Sequence, residues 1–360
     1  MTASTKPRLR GEFHRLTVAE VTRLCEDAVA VTFAVPPELA EAYAFRAGQS
    51  LTLRRTVDGR EERRSYSICA PEGEAPRIGV REVPDGLFST WLVHEVAPGD
   101  EIEVATPTGT FTPDPATPGH HVLIAAGSGI TPVLSIAATV LREPGATVTV
   151  FYGNRRTGTV MFADELADLK DRYPDRLELV HVLSREPREA ELFTGRLDAG
   201  KIEGLLALVP DLASVAHWWL CGPFGMVTDA RKLLLDAGVP GGIVHQELFY
   251  VDDVPPAPVR HEEAAVAGST SEVTIVLDGR STTAALPRDT TVLDAAQRVR
   301  PDLPFACKGG VCGTCRAKVT DGEVDLRRNF ALDESELDAG FVLTCQSYPV
   351  SSSVTVDYDQ

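Results

Sequence analysis

Cys307-Lys308-Gly309-Gly310-Val311-Cys312-Gly313-Thr314-Cys315 carries three cysteines at C-x4-C-x2-C spacing, and a fourth, Cys345, follows after 29 residues. Three thiolates on one tight loop and a fourth on a distant segment can ligate two bridged irons, the spacing of a [2Fe–2S] site. Gly309, Gly310 and Gly313 suit a loop that must turn sharply and bring backbone N–H groups close to sulfur. A zinc site or a disulfide framework is the other reading. Zinc usually takes paired knuckles of closely spaced cysteines, whereas Cys345 stands alone. An iron–sulfur site passes single electrons, so the rest of the chain is read for what feeds it.

The chain has 360 residues, enough for two or three domains with proper cores. Its formal net charge of −17 argues against nucleic acid as a partner, because binding a phosphate backbone needs a basic surface. Cys25, Cys69 and Cys221 are scattered without a pairing pattern, as in a reducing compartment, which points to the cytoplasm. The first ten residues have no apolar run behind them and do not read as a signal peptide. Val122 to Leu141 has the length and apolar character of a membrane span, but Gly127-Ser128-Gly129 and Thr131-Pro132 interrupt it. A strand, a turn and a helix explain it better, so no membrane partner is expected.

Residues 11–113 read as short strands with Gly and Pro turns: Leu16–Val21, Ala28–Val35, Gln49–Arg54, Arg64–Ile68 and Arg77–Val83, with a hairpin signal at Asp58-Gly59. That pattern suggests a small barrel, with a short helical excursion at Glu38–Tyr43 and a helix at Ser89–Val96. A Pro-rich hinge at 113–119 follows. Residues 114–251 alternate apolar strands with helical stretches: His121–Ala126, Pro132–Arg142, Thr147–Tyr152, Phe162–Tyr173, Leu177–Leu183, Trp218–Cys221 and Gly225–Ala237. This is βαβ alternation and predicts a parallel sheet. Residues 252–271 read as a solvent-exposed linker. Residues 272–360 hold two strands with a turn at Asp278-Gly279, a helix at Val292–Arg300, the cysteine loop and further strands to Asp357.

In the middle segment, a strand runs into Gly127-Ser128-Gly129-Ile130-Thr131-Pro132 and then a helix. Glycines allow close approach of a pyrophosphate, and the helix N-terminus offers free N–H groups. Pro132 suits the first helical turn and Thr131 can cap it. A structural turn is the competing reading. Cys221-Gly222-Pro223 also ends a strand and opens a helix, and could wall another part of the same cleft; Cys221 is otherwise a buried strand-end thiol. Ser184-Arg185 follows a strand at the edge where such sheets bind ligands, placed to hold an extra phosphate or simply to form a solvated turn.

In the first segment, Arg64 and Tyr66 share one face of a strand, and Ser65 and Ser67 share the other. An Arg can take a phosphate, a Tyr can lie against a flat ring, and a hydroxyl can meet a ring nitrogen. Gly86-Leu87-Phe88-Ser89 then gives a glycine loop and a hydroxyl cap before a helix. Alone, these read as an ordinary strand and cap.

Their order is more specific than any one of them. Arg-x-Tyr-Ser, Gly-x-x-Ser, Gly-x-Gly-x-Thr-Pro, Cys-Gly-Pro and the cysteine pattern together resemble the ferredoxin–NADP reductase superfamily with a fused C-terminal plant-type ferredoxin domain, from about residue 12 onward. The resemblance implies a multidomain chain. An antiparallel β-barrel would bind FAD, an α/β parallel-sheet domain would bind the pyridine nucleotide, and an α+β β-grasp domain would carry the [2Fe–2S] cluster.

The resemblance also implies roles. FAD would lie on Arg64, Ser65, Tyr66, Ser67 and the Gly86–Ser89 loop (Leu87 and Phe88 included), with Tyr66 stacked on the flavin ring and Ser67 at its N5. Gly127, Gly129, Thr131 and Pro132 would line the nucleotide cleft, and Cys221, Gly222 and Pro223 would sit near the nicotinamide. Ser184-Arg185-Glu186 resembles the 2′-phosphate clamp of NADP-preferring members and favours NADPH over NADH. Glu247 and Phe249 belong to the segment returning toward the flavin, with Glu247 catalytic beside Ser67 and Cys221. Cys307, Cys312, Cys315 and Cys345 would hold the irons.

Within the superfamily, Arg63–Ile68, Gly86–Trp91, the cysteine loop and Val342–Ser347 most resemble the reductases of phenylacetyl-CoA epoxidases, multicomponent di-iron oxygenases of phenylacetate degradation. The reductases of 3-ketosteroid 9α-hydroxylases come next. The implied activity is electron transfer from NAD(P)H through FAD and the cluster to the oxygenase component of such a system. The competing class is an iron–sulfur binding or sensing module without nucleotide turnover.

Overall fold

The computed structural model describes residues 12–57, 59–84, 86–114, 118–249, 270–300, 302–332 and 334–360. Glu12–Phe249 forms one compact unit, and the described residues from Thr270 onward belong to a second. The expected linker lies outside the described residues except for Thr270 and Ser271, which open a strand.

The first unit begins with strands β1 (Phe13–Cys25), β2 (Ala28–Ala34), β3 (Ser50–Val57), β4 (Arg60–Ser67) and β5 (Arg77–Arg81), then helix α1 (Leu87–His94) and strand β6 (Glu101–Ala105). They form an antiparallel sheet in the order β4-β3-β6-β1-β2-β5. An Ile68–Ile78 bridge joins the ends of the sheet and closes the barrel. Leu16, Val31, Phe33, Leu51, Leu53, Ile78 and Val104 alternate inward along their strands and fill it, while Phe88 and Leu92 of α1 cover it. β6 was not read from the sequence. Its two Glu residues mask a short strand that pairs between β3 and β1. The excursion expected at Glu38–Tyr43 is a single 3-10 turn at Pro37–Leu39.

The α/β part of the same unit runs β7 (His120–Ala126), α2 (Ile130–Val140), β8 (Thr147–Asn154), α3 (Ala163–Arg172), β9 (Leu177–Leu183), α4 (Ala199–Leu206), β10 (Val215–Gly222), α5 (Phe224–Asp236) and β11 (Val244–Leu248). Its sheet is parallel throughout, in the order β11-β10-β7-β8-β9. The chain leaves β7 for β8 on one side and later returns to β10 on the other. The crevice above β7 and β10 is therefore the topological switch point at which such sheets bind ligands. Residues of α2 and α3 share one core with Tyr152 and Trp219 of the sheet, and with Ala28, Ala30 and Phe111 of the barrel part, so the two halves are joined by a continuous apolar contact.

The second unit comprises β12 (Thr270–Leu277), β13 (Arg280–Pro287), α6 (Val292–Ala296), β14 (Arg316–Leu326), α7 (Glu334–Asp338), β15 (Phe341–Leu343) and β16 (Ser347–Asp357). The sheet order is β13-β12-β16-β14-β15, with β12 and β16 parallel and the other pairs antiparallel. The predicted Asp278-Gly279 turn has positive φ at both residues, and the Asp359 carboxylate accepts from both backbone N–H groups at 2.8 Å. α6 stops four residues before the predicted Arg300, whose guanidinium instead pairs with Asp302 at 2.8 Å.

Candidate functional site

β4 carries Arg64, Ser65, Tyr66 and Ser67 at the edge where the barrel meets the α/β part. The Arg64 side chain is 47% exposed; its Nη1 donates to Glu62 Oε2 at 3.1 Å and to the Arg63 carbonyl at 2.6 Å, leaving most of the guanidinium facing solvent. Tyr66 lies against Phe88 with ring centroids 6.2 Å apart. Ser65 faces away from Tyr66 and shares a 2.9 Å hydrogen bond with Thr52.

α1 begins at Leu87, two residues before the predicted start, and its cap is Gly86 rather than a hydroxyl residue. Ser89 Oγ instead accepts from Val83 N–H at 3.0 Å and ties the loop to the helix. A Cβ on Gly86 would meet Ser89 Oγ at 2.5 Å and the Val83 carbonyl at 2.8 Å, so only glycine closes this turn. With no side-chain cap, the first N–H groups of α1 stay open to an anion. Leu87 projects outward and Phe88 is in the core, so both would meet a phosphate through their backbones.

The second glycine turn is built just as tightly. Gly127 has φ +57°, and a Cβ on Gly129 would fall 2.1 Å from the Cys221 carbonyl. α2 starts at Ile130, so Thr131 and Pro132 lie inside its first turn; Thr131 Oγ1 donates to the Ser128 carbonyl at 2.9 Å rather than capping the helix. Gly222 and Pro223 make the matching turn from β10 into α5. Ser184 and Arg185 follow β9 at the same carboxyl edge of the sheet, and Arg185 is exposed. Glu186 does not face that edge freely: its carboxylate accepts from Thr157 N–H and Oγ1, both at 2.8 Å, and these bonds hold it below the usual carboxylate range.

The two halves meet through side chains. Ser67 Oγ donates to Glu247 Oε2 at 3.1 Å. Glu247 stands beside Cys221 in the β10–β11 register. Removal from water pushes the Glu247 carboxyl up to about 7, the Ser67 bond opposing the shift only in part. Cys221 is fully buried, and burial with the nearby Glu247 charge pushes its thiol up, so it is a neutral thiol rather than a nucleophilic thiolate. Phe249 packs against the core next to this pair. Sequence reasoning missed Arg81 and Tyr152. The Arg81 guanidinium bonds the Thr159 carbonyl and approaches Gly127, and the Tyr152 hydroxyl donates to the Gly127 carbonyl at 3.0 Å. Both looked like ordinary strand residues in an apolar pattern.

In the second unit, Lys308, Gly310 and Gly313 all have positive φ, which bends the cysteine loop back on itself. Gly309 N–H donates to Cys307 Sγ at 3.3 Å. Cys307 neighbours Cys312, and Cys315 neighbours Cys345. The neighbouring thiol lowers Cys307 and Cys345 and raises Cys312 and Cys315. Among the described residues no group of three or more such side chains closes on a single ion. Three cysteines on one tight loop and a fourth on a later segment are a donor set that fits two bridged irons.

Comparison with known proteins accounts for all three parts. The oxidoreductase FAD-binding domain matches residues 15–112, the oxidoreductase NAD-binding domain residues 123–232, and the 2Fe-2S iron-sulfur cluster binding domain residues 275–350. A component of the 1,2-phenylacetyl-CoA epoxidase of Escherichia coli (strain K12) is 43% identical over 353 residues, covering 96% of this chain and 98% of the relative. The chain belongs to the ferredoxin reductase family with a fused [2Fe–2S] domain. This reductase is also 34% identical, over 95% of its length and 96% of the relative's, to the ferredoxin reductase component of 3-ketosteroid-9-alpha-monooxygenase from Rhodococcus rhodochrous. Phthalate dioxygenase reductase shares its fold, with a TM-score of 0.60 at 23% identity over 96% of this chain and 98% of that one. The reductase is thus an oxidoreductase that uses FAD, a pyridine nucleotide and a [2Fe–2S] cluster. Among the described residues no helix is long and apolar enough to cross a membrane.

Proposed function

We propose that this reductase takes electrons from NADPH and delivers them to the oxygenase component of a phenylacetyl-CoA epoxidase, a di-iron enzyme, in the cytoplasm. The observation that carries this reading is end-to-end identity of 43% to an epoxidase component, against 34% to the ketosteroid system. FAD supplies the conversion from a two-electron donor to single-electron steps, and the cluster supplies one-electron transfer.

The chain's own residues do the positioning. Arg64 and the open N–H groups of α1 hold the FAD pyrophosphate, and the Tyr66 ring backs the flavin. Ser65, hydrogen-bonded to Thr52, supports this strand from its other face. Gly127, Gly129, Thr131 and Pro132 bring backbone N–H groups to the nucleotide pyrophosphate, while Gly222 and Pro223 line the other side of the crevice. Arg185, with Ser184, holds the 2′-phosphate, which favours NADPH. Cys221, a neutral thiol, packs the nicotinamide end, and Phe249 closes it. Ser67 Oγ and Glu247 Oε2 form a short proton path; a carboxyl titrating near 7 can give or take a proton at working pH. Cys307, Cys312, Cys315 and Cys345 would hold the irons of the cluster.

The test is reconstitution. The purified reductase is mixed with the oxygenase component of a phenylacetyl-CoA epoxidase, and NADPH-dependent turnover of phenylacetyl-CoA is followed. Turnover supports the reading. Turnover only with a 3-ketosteroid oxygenase would replace the proposed partner and leave the electron-transfer chemistry standing.

A further inference from the structure

Asn154 ends β8 at the carboxyl edge of the parallel sheet. It is 7% exposed, and neither Nδ2 nor Oδ1 has a hydrogen-bond partner. The Tyr152 hydroxyl stands beside it and donates its one proton to the Gly127 carbonyl at 3.0 Å. A buried primary amide offers two donors and an acceptor, and folded proteins rarely leave such groups unpaired. The fold itself gives no reason for it, since an apolar side chain of similar size would fill the space without a desolvation cost.

The position of the amide indicates what it awaits. On one side, Gly153 pairs with Ala126, the residue before the Gly127 turn. On the other, the Asn154 carbonyl accepts from Ser184 N–H at 2.9 Å, and the Arg155 carbonyl from Arg185 N–H at 2.8 Å. The amide therefore lies between the turn read as the pyrophosphate site and the pair read as the 2′-phosphate site. A dinucleotide spanning these two points must pass the end of β8 with its adenosine ribose and the adjoining phosphate.

We propose that Asn154 is a binding residue for the adenylate half of the pyridine nucleotide, Oδ1 accepting from a ribose hydroxyl and Nδ2 donating to a phosphate oxygen. This rests on the reading that the sheet edge binds NAD(P)H. Both groups occur in NADPH and NADH, so Asn154 adds affinity without choosing between them, in contrast to Arg185. Reduced nicotinamide mononucleotide lacks the adenylate half altogether.

Asn154→Leu, of similar size, is compared with the parent reductase carrying its FAD and cluster, with Asn154→Ala as a second variant. Anaerobic stopped flow follows flavin reduction by NADPH, NADH and reduced nicotinamide mononucleotide. Kd should rise about tenfold for both dinucleotides, with the limiting rate unchanged and the mononucleotide unaffected. The unfolding temperature without nucleotide should not fall, because no internal bond is lost. Unchanged Kd values, or an equal rise with the mononucleotide, would overturn the assignment; so would a rise for NADPH alone, which would make Asn154 part of the 2′-phosphate site. Failure of the parent protein to accept electrons from either dinucleotide would instead refute the nucleotide reading beneath it.

Discussion

Ser67 and Glu247, separated by 180 residues in the chain, share a 3.1 Å hydrogen bond that joins the end of β4 in the barrel to β11 at the edge of the parallel sheet. The barrel and sheet halves thus meet in a hydroxyl–carboxyl pair, with Cys221 beside it in the sheet. Burial raises that carboxyl from its ordinary 4.5 to about 7.

This pair predicts a pH dependence. The Glu247 carboxyl is raised from its ordinary 4.5 to about 7. The folded chain therefore keeps a proton that the unfolded chain releases from about pH 4.5 upward. The stabilisation is fully present below that pH and is lost as pH rises through about 7, with an upper bound of roughly 3 kcal/mol for a shift of this size. Glu247→Gln stays neutral throughout. Urea unfolding should show the variant gaining stability relative to the parent between pH 4.5 and 8; parallel pH profiles would remove the argument.

Cys312→Ser removes one of the four thiols that would hold the irons. The variant should lose the visible absorbance of the cluster and cytochrome c reduction, yet keep NADPH–ferricyanide activity through the flavin. Persistence of both activities would mean that electrons leave by another route.

Arg185→Ala removes the cation at the end of β9. KM for NADPH should rise about tenfold or more, while KM for NADH changes little, because only NADPH has a 2′-phosphate to lose. Steady-state kinetics with the two donors decides this, and equal shifts would count against the clamp.

Gly129→Ala probes how closely α2 approaches β10. The new Cβ would lie 2.1 Å from the Cys221 carbonyl, which is backbone and cannot swing aside. Overpacking of this kind costs about 1–3 kcal/mol, and it would push the turn away from the nucleotide crevice. A lower urea midpoint together with weaker nucleotide binding is expected. An unaltered midpoint would show that the two turns are less tightly packed than the structure indicates.

Much of the architecture was legible in the sequence because it depends on short-range spacing. C-x4-C-x2-C within nine residues constrains one loop, and Lys308, Gly310 and Gly313 take the positive φ values such a loop requires. Apolar strands alternating with helical stretches imply a parallel sheet, and the sheet has that form. Boundaries were less legible. α1 and α2 each begin two residues before the predicted start, because Gly86 and Gly129 cap them through the backbone rather than through Ser89 or Thr131. β6 was hidden because pairing with two neighbours, not its own pattern, makes it a strand.

By itself, then, the sequence determined the three parts, the turns that can approach phosphates and the loop that can gather sulfurs, since each follows from residues a few positions apart. Only the tertiary structure decided which groups meet across long stretches of chain. It joined Ser67 to Glu247, tied Ser65 to Thr52 away from Tyr66, anchored Glu186 on Thr157, and left the Asn154 amide buried and unpaired between two turns. Such relationships depend on strand register and the packing of one half on the other, and a carboxyl's affinity for its proton depends on how much water that packing excludes. Neither quantity is written in local spacing.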